Sequence, residues 1–107
     1  MYVILTSKDG QYRTEAVDGI EAVECYDYVF YGRKRAQFVI ATIDRPVKVR
    51  VVDEGLPPVV NLVPSKFLEK FETLEAARGA LGELTHFGDM DIRLVPAALP
   101  GATGGGH

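Results

Sequence analysis

Apolar and aromatic residues fall in short runs with a two-residue period, and the longest such stretch is Val23 to Ile43, VECYDYVFYGRKRAQFVIATI. Two runs rich in Tyr, Phe, Val and Ile flank a charged break at Gly32-Arg33-Lys34-Arg35. These residue types suit a pleated surface, so the pattern predicts a long β-hairpin. Alternation places Tyr26, Tyr28 and Phe30 on one face of the outgoing arm, with Cys25, Asp27, Val29 and Tyr31 on the other. The return arm sets Phe38, Ile40 and Thr42 against Val39, Ala41 and Ile43. Both faces are therefore substantially apolar.

Before the hairpin, Tyr2 to Thr6 is a short β-branched run and Gln11 to Val17 alternates loosely, which suits a half-exposed strand paired to the first. Asp9-Gly10 and Asp18-Gly19 mark turns, giving the first twenty residues the look of a small meander. After it, Val47, Val49 and Val51 alternate with Lys48 and Arg50 in a strand with one wet face. The DEGLPP segment is a loop, and Val59 to Val63 a short edge strand closed by Pro64.

Ser65 suits the N-cap of a helical turn through Phe71. Thr73 suits the cap of a longer helix, Leu74 to Phe87, whose stripe is Leu74, Ala77, Leu81 and Leu84, widened by Ala80 and Phe87. Gly79 and Gly82 weaken a helix and imply close approach to a sheet. His86 and Gly88 suit its C-terminal end. Ile92 to Val95 reads as a last strand stopped by Pro96. The expected fold is α+β: a small, mostly antiparallel sheet or partly open barrel of about six short strands, with one C-terminal amphipathic helix packed on one face and a final short strand. Residues 1–96 form a single α+β domain, and 97–107 a flexible Gly-rich C-terminal tail.

Composition narrows the function classes. At 107 residues the chain can bury a core without staples. A formal net charge of −3 argues against an electrostatic nucleic-acid binder. A single cysteine, Cys25, excludes a disulfide within the chain and an all-cysteine metal site. No apolar run is long enough to cross a bilayer as a helix, and MYVILTSKDG lacks the features of a secretory signal, so a reducing cytoplasm is the expected setting.

Candidate chemistry is sparse. Arg33-Lys34-Arg35, flanked by Tyr31 and Phe38, could serve as an anion or nucleic-acid contact. A solvated hairpin tip explains it more simply, and an acidic partner surface suits it better than nucleic acid. His86, Asp89 and Asp91 lie close in sequence, yet helix-end and turn chemistry accounts for all three without a metal; His107 falls in the tail. Ser7, Ser65 and Cys25 stand in no nucleophile motif, His86 is the only credible base, and Cys25 reads as an inert core thiol. No G-x-G-x-x-G or Walker sequence occurs. No cofactor, metal or catalytic residue is expected.

The aromatic cluster remains. Of ten Tyr and Phe residues, four (Tyr26, Tyr28, Phe30 and Tyr31) fall within six positions. One helix of this length covers a few strands on one face, so the hairpin's other face needs a barrel or a second chain to hide it. The expectation is a non-catalytic accessory subunit or adaptor that docks on a larger protein, or self-associates, through Tyr26, Tyr28, Phe30, Tyr31, Arg33, Arg35 and Phe38, with no nucleic-acid or membrane partner. The alternative is a small-molecule-binding domain or minor enzyme with a pocket between sheet and helix, using His86 or tyrosine hydroxyls as polar handles.

Overall fold

The computed structural model describes residues 1–15, 17–85 and 90–99. The expected hairpin is its longest feature: β3 (Ile20–Phe30) and β4 (Arg33–Ile43) pair antiparallel over their length. The break is narrower than the charge pattern implies. Only Tyr31 and Gly32 form the turn, both with positive φ (50° and 76°), and Arg33-Lys34-Arg35 belong to β4. Two left-handed residues match the right-handed twist of the arms, the geometry of a type I′ turn.

β4 is the centre of a four-stranded sheet in the order β1-β4-β3-β7, with β1 spanning Tyr2–Ser7 and β7 spanning Ile92–Ala97. All its pairings are antiparallel. The alternation holds: Val39, Ala41 and Ile43 lie on one face with Val3, Leu5 and Cys25, while Ile40 and Phe38 lie on the other with Tyr2, Ile4 and Tyr26. A bulge at Val23, where the register passes from Ala22–Ala41 to Glu24–Ile40, brings Ile20 and Ala22 onto the Cys25 face. A second bulge at Arg35 separates the Tyr28–Ala36 pair from Val29–Lys34.

Each apolar face has its own cover. Helix α1 (Leu74–Glu83) lies over one, packing Ala77 and Leu81 against Ile40, with Phe71, Leu74 and Leu84 around them. A second sheet lies over the other, formed by β2 (Tyr12–Glu15), β5 (Lys48–Asp53) and β6 (Val59–Pro64) in the order β2-β5-β6. Val49 joins Val3, Leu5, Cys25, Val39, Ala41 and Ile43 in the inter-sheet core. The protein thus stacks helix, sheet and sheet, with two open sheets in place of a partly open barrel.

This corrects the expected meander. β2 pairs with β5, Tyr12 opposite Asp53 and Glu15 opposite Arg50, and not with β1. It stays close to β1 through a single backbone bridge, Lys8 to Tyr12, and through side chains: Thr14 N–H donates to Ser7 Oγ at 2.9 Å, and Thr14 Oγ1 donates to the Thr6 carbonyl. In β5, Val49 is buried as the alternation predicts, but Val52 is also only 7 % exposed. Gly19 holds φ +90°, and a Cβ there would stand 2.7 Å from Val47 Cγ1, so both conformation and space require glycine.

Thr73 caps α1 as expected, its side chain accepting from Ala76 N–H at 3.0 Å. The helix closes at Glu83, short of Phe87; Phe87, Gly88, and the candidate residues His86 and Asp89 lie outside the described residues. Gly79 and Gly82 do not mark close approach, since a Cβ on either meets nothing within 4 Å. Ser65 is not an N-cap: Ser65–Phe67 is a short 3₁₀ turn without a side-chain cap, and Ser65 bonds instead to Val47. β7 continues through Pro96, which an edge strand tolerates. Ala97 and Leu99 pack against the inter-sheet core, so the packed part of the chain reaches past residue 96; residues 100–107 lie outside the described residues. No helix among the described residues is long and apolar enough to cross a membrane.

Candidate functional site

Toward the hairpin's turn end the helix-side face forms a recess that, among the described residues, no residue of α1 lines. Tyr28, Phe30 and Phe38 stand on this face, Tyr28 meeting Phe38 edge-on with ring centroids 5.8 Å apart. With Ala36, Leu84, Lys8, Gln11 and Arg35 they line a cleft of about 490 Å³. Its floor is aromatic and aliphatic, and among the described residues the charged groups that line it are the cations Lys8 and Arg35. The bulge at Arg35 aims that side chain into the cleft region by adding a residue to β4 just where the face ends.

Tyr31 crowns the turn. Its ring packs edge-on against Phe30 at 4.7 Å, its N–H donates to the Asp91 carbonyl at 2.8 Å, and it remains 57 % exposed. A bulky residue at φ 50° is unfavourable where Asn or Gly would sit easily. Arg33 closes the turn opposite Phe30 and is exposed. On the other face Lys34 pairs with Asp27 at 3.5 Å, and Gln37 donates to Asp27 at 3.3 Å, so this part of the basic run is partly neutralised.

Of the residues expected to bind a partner, Tyr28, Phe30, Phe38 and Arg35 line one cleft, and Tyr31 and Arg33 lie beside Phe30 at the turn. Tyr26 does not join them. It packs, half-buried, against the core under the helix, and its hydroxyl donates to Glu24 Oε1 at 2.7 Å. Arg78 of α1 clamps the same carboxylate, Nε donating at 2.8 Å and the terminal nitrogen binding the second oxygen. The Arg78 bonds, helped by the Tyr26 hydroxyl, hold Glu24 at a pKa of about 2. The bond to Glu24 pushes the Tyr26 hydroxyl up in turn.

Lys8, Gln11 and Leu84 were not foreseen as site residues. Lys8 shares the parity of Ile4 and Thr6 along β1, but only the β1–β4 register sets it beside Phe38. The candidate nucleophiles hold the fold instead. Ser7 Oγ accepts from Thr14, Ser65 Oγ accepts from Val47, and Cys25 is buried in the inter-sheet core. Burial, and after it the nearby Asp27 carboxylate, pushes the Cys25 thiol up, away from reactivity. Among the described residues no three His, Cys, Asp or Glu side chains gather as a metal site would need, and Asp91 pairs with Arg93 at 3.1 Å.

Compared with known proteins, the chain matches no family model, no curated protein and no solved structure.

Proposed function

We propose that this chain is a non-catalytic docking subunit that seats a segment of a larger protein at the aromatic end of its β3–β4 hairpin. The observation that carries the proposal is Tyr31, a large ring presented at the turn in a left-handed backbone conformation that folding alone disfavours. The original physical ground for docking, an apolar face with nothing to hide it, does not hold for most of the sheet, because the second sheet covers that face. It survives at the turn end, where among the described residues no residue of α1 lines the cleft.

The partner's chemistry follows from the lining. An apolar or aromatic anchor fits among Tyr28, Phe30, Phe38 and Leu84, and an acidic group beside it meets Lys8 and Arg35. Tyrosine and arginine are the side chains that supply most of the binding energy at such surfaces. The engagement of Ser7, Ser65 and Cys25 in structural roles supports a non-catalytic reading.

Affinity capture from the source extract tests this, comparing the native chain with Tyr31→Ala, Phe30→Asp and Arg35→Glu after circular dichroism shows each variant folded. A partner retained by the native chain and lost with all three supports docking at the hairpin end. Equal capture by all four proteins excludes it. A second reading is a small ligand with an anionic group in the same cleft, favoured by a volume of about 490 Å³ that suits a metabolite. A thermal shift with a small aromatic acid, abolished by Phe38→Ala yet indifferent to Tyr31→Ala, would select it.

A further inference from the structure

We propose that a second copy of this chain pairs with β6, edge to edge and antiparallel, joining the two three-stranded sheets into one across a two-fold axis at Asn61. Five of the nine large hydrophobic residues exposed among the described residues lie on the single stretch 56–67: Leu56, Val59, Val60, Leu62 and Phe67. Leu56 is 99 % exposed at one end and Phe67 70 % exposed at the other. β6 is an outer strand, and its sequence VVNLVP carries no charge.

The other edges are defended. Phe71 bridges the outer side of β1 by two backbone hydrogen bonds of 2.8 Å with Tyr2. β2 is short, carries Arg13 and Glu15, and is held to Ser7 and Thr6 by Thr14. β7 carries Arg93 and Pro96. Charge, proline, short length and cover are the usual devices against edge pairing. Within β6 only the terminal Pro64 serves, and its register with β5 runs without a bulge.

The backbone pattern selects the occupant. Ser65 N–H donates to the Val47 carbonyl opposite it, at 2.7 Å, so Ser65 and Val47 are a hydrogen-bonded pair. Alternation along the ladder then turns the backbone groups of Val63, Asn61 and Val59 toward β5 and those of Val60 and Leu62 outward. Pro58 and Pro64, which lack an N–H, fall at the outward positions on either side. This array is symmetric about Asn61. An antiparallel copy sets Val60 against Leu62 of the second copy, where each satisfies the other's N–H and C=O, and Pro58 meets Pro64 at the next outward positions, where neither has an N–H to give and the paired segment ends.

Charge and apolar surface follow the same symmetry. The N-terminal end of β6 adjoins Asp53 and Glu54, and its C-terminal end adjoins Lys48, Lys66 and Lys70. Part of this charge is engaged within the chain: Glu54 lies 3.3 Å from Arg13, and Lys70 donates to the Ser65 carbonyl. Antiparallel pairing brings the acidic end of each copy to the basic end of the other, whereas parallel pairing would oppose like charges. It also brings Leu56 of one copy toward Phe67 of the other. Such an isologous contact closes on itself and leaves no free β6 edge.

Light scattering combined with an Asn61→Cys cross-linking test decides this. In the proposed register residue 61 faces its own counterpart in a non-hydrogen-bonded pair, with Cα atoms about 4.5 Å apart, within disulfide range. The native chain should show twice the chain mass, and Asn61→Cys should oxidise to a covalent dimer while Val95→Cys, on an exposed site of the other sheet, does not. Leu62→Lys should weaken dimerisation by roughly tenfold or more, as an unpaired charge set in a contact does, without unfolding the chain. Val60→Pro, which removes an outward donor and leaves the β5 ladder intact, should act likewise. A monomer at all concentrations overturns the proposal. So does a dimer lost with Phe30→Asp but kept with Leu62→Lys, which would instead place self-association at the hairpin end.

Discussion

Ser65 and Val47 hold each other by two hydrogen bonds, Ser65 N–H to the Val47 carbonyl at 2.7 Å and Val47 N–H to Ser65 Oγ at 3.0 Å. The serine hydroxyl takes the place of a ladder carbonyl just where β6 turns into the 3₁₀ segment. Ser65 is 2 % exposed, so water does not readily replace it. Ser65→Ala should therefore destabilise the fold by about 1–3 kcal/mol, the range for leaving a buried donor unpaired. Urea denaturation with an unchanged m-value would check it, and a change below about 0.5 kcal/mol would contradict it.

The clamp of Arg78 on Glu24 ties α1 to the sheet and gives stability a pH dependence. Folding lowers the Glu24 pKa from 4.5 to about 2. The unfolded chain thus binds more protons between these values, so stability rises with pH there. The contribution is complete above about pH 4.5 and is lost as pH falls toward 2. Glu24→Gln should flatten the slope of unfolding free energy against pH in that window, while leaving the slope above pH 5 unaltered.

Gly79 and Gly82 lie in the helix with open space where a Cβ would go. Each Gly→Ala replacement should raise stability by about 1 kcal/mol, the difference in helix propensity, seen as a higher melting temperature. Gly19→Ala should do the opposite, because its φ is +90° and Val47 blocks the Cβ.

At the hairpin turn, stability and function should separate. Tyr31→Asn relieves a left-handed backbone that asparagine tolerates, and should raise stability by roughly 0.5–1 kcal/mol. The same change removes the exposed ring and should abolish partner capture. A variant that is both less stable and still able to bind would remove the basis for giving Tyr31 a role.

Leu81, which α1 buries against Ile40, should cost about 2–5 kcal/mol when replaced by alanine. Leu56→Ala, at a position almost fully exposed, should change monomer stability by no more than about 0.5 kcal/mol. Any effect of Leu56→Ala should instead appear in association, measured by sedimentation across protein concentration.

Features governed by neighbours in the chain could be read before the fold was known. The Tyr26/Cys25 alternation, the turns at Asp9-Gly10 and Asp18-Gly19, and the Thr73 cap follow from side-chain period, glycine conformation and a local hydrogen bond. The split of Phe38 and Ile40 from Val39 and Ala41 was equally plain, because a strand leaves no other arrangement. Ser65 misled because the same residue type that caps helices also bonds to a strand, and only the placement of Val47 distinguishes the two. The two helix glycines misled for a similar reason: their cost is local, but whether a neighbour occupies the space beside them is not.

The residues alone determined that both faces of the hairpin must be hidden, since periodicity and apolar content are properties of a single strand. Which element hides each face was decided by tertiary structure. β2 could have stayed with β1, yet it pairs with β5, and that distant choice builds the second sheet over Cys25 and Val39. The cleft arose in the same way, when the β1–β4 register set Lys8 beside Phe38 and a bulge turned Arg35 toward them. Pairing between remote strands depends on the total surface each arrangement buries, a quantity summed over the whole chain and not carried by any short stretch of it.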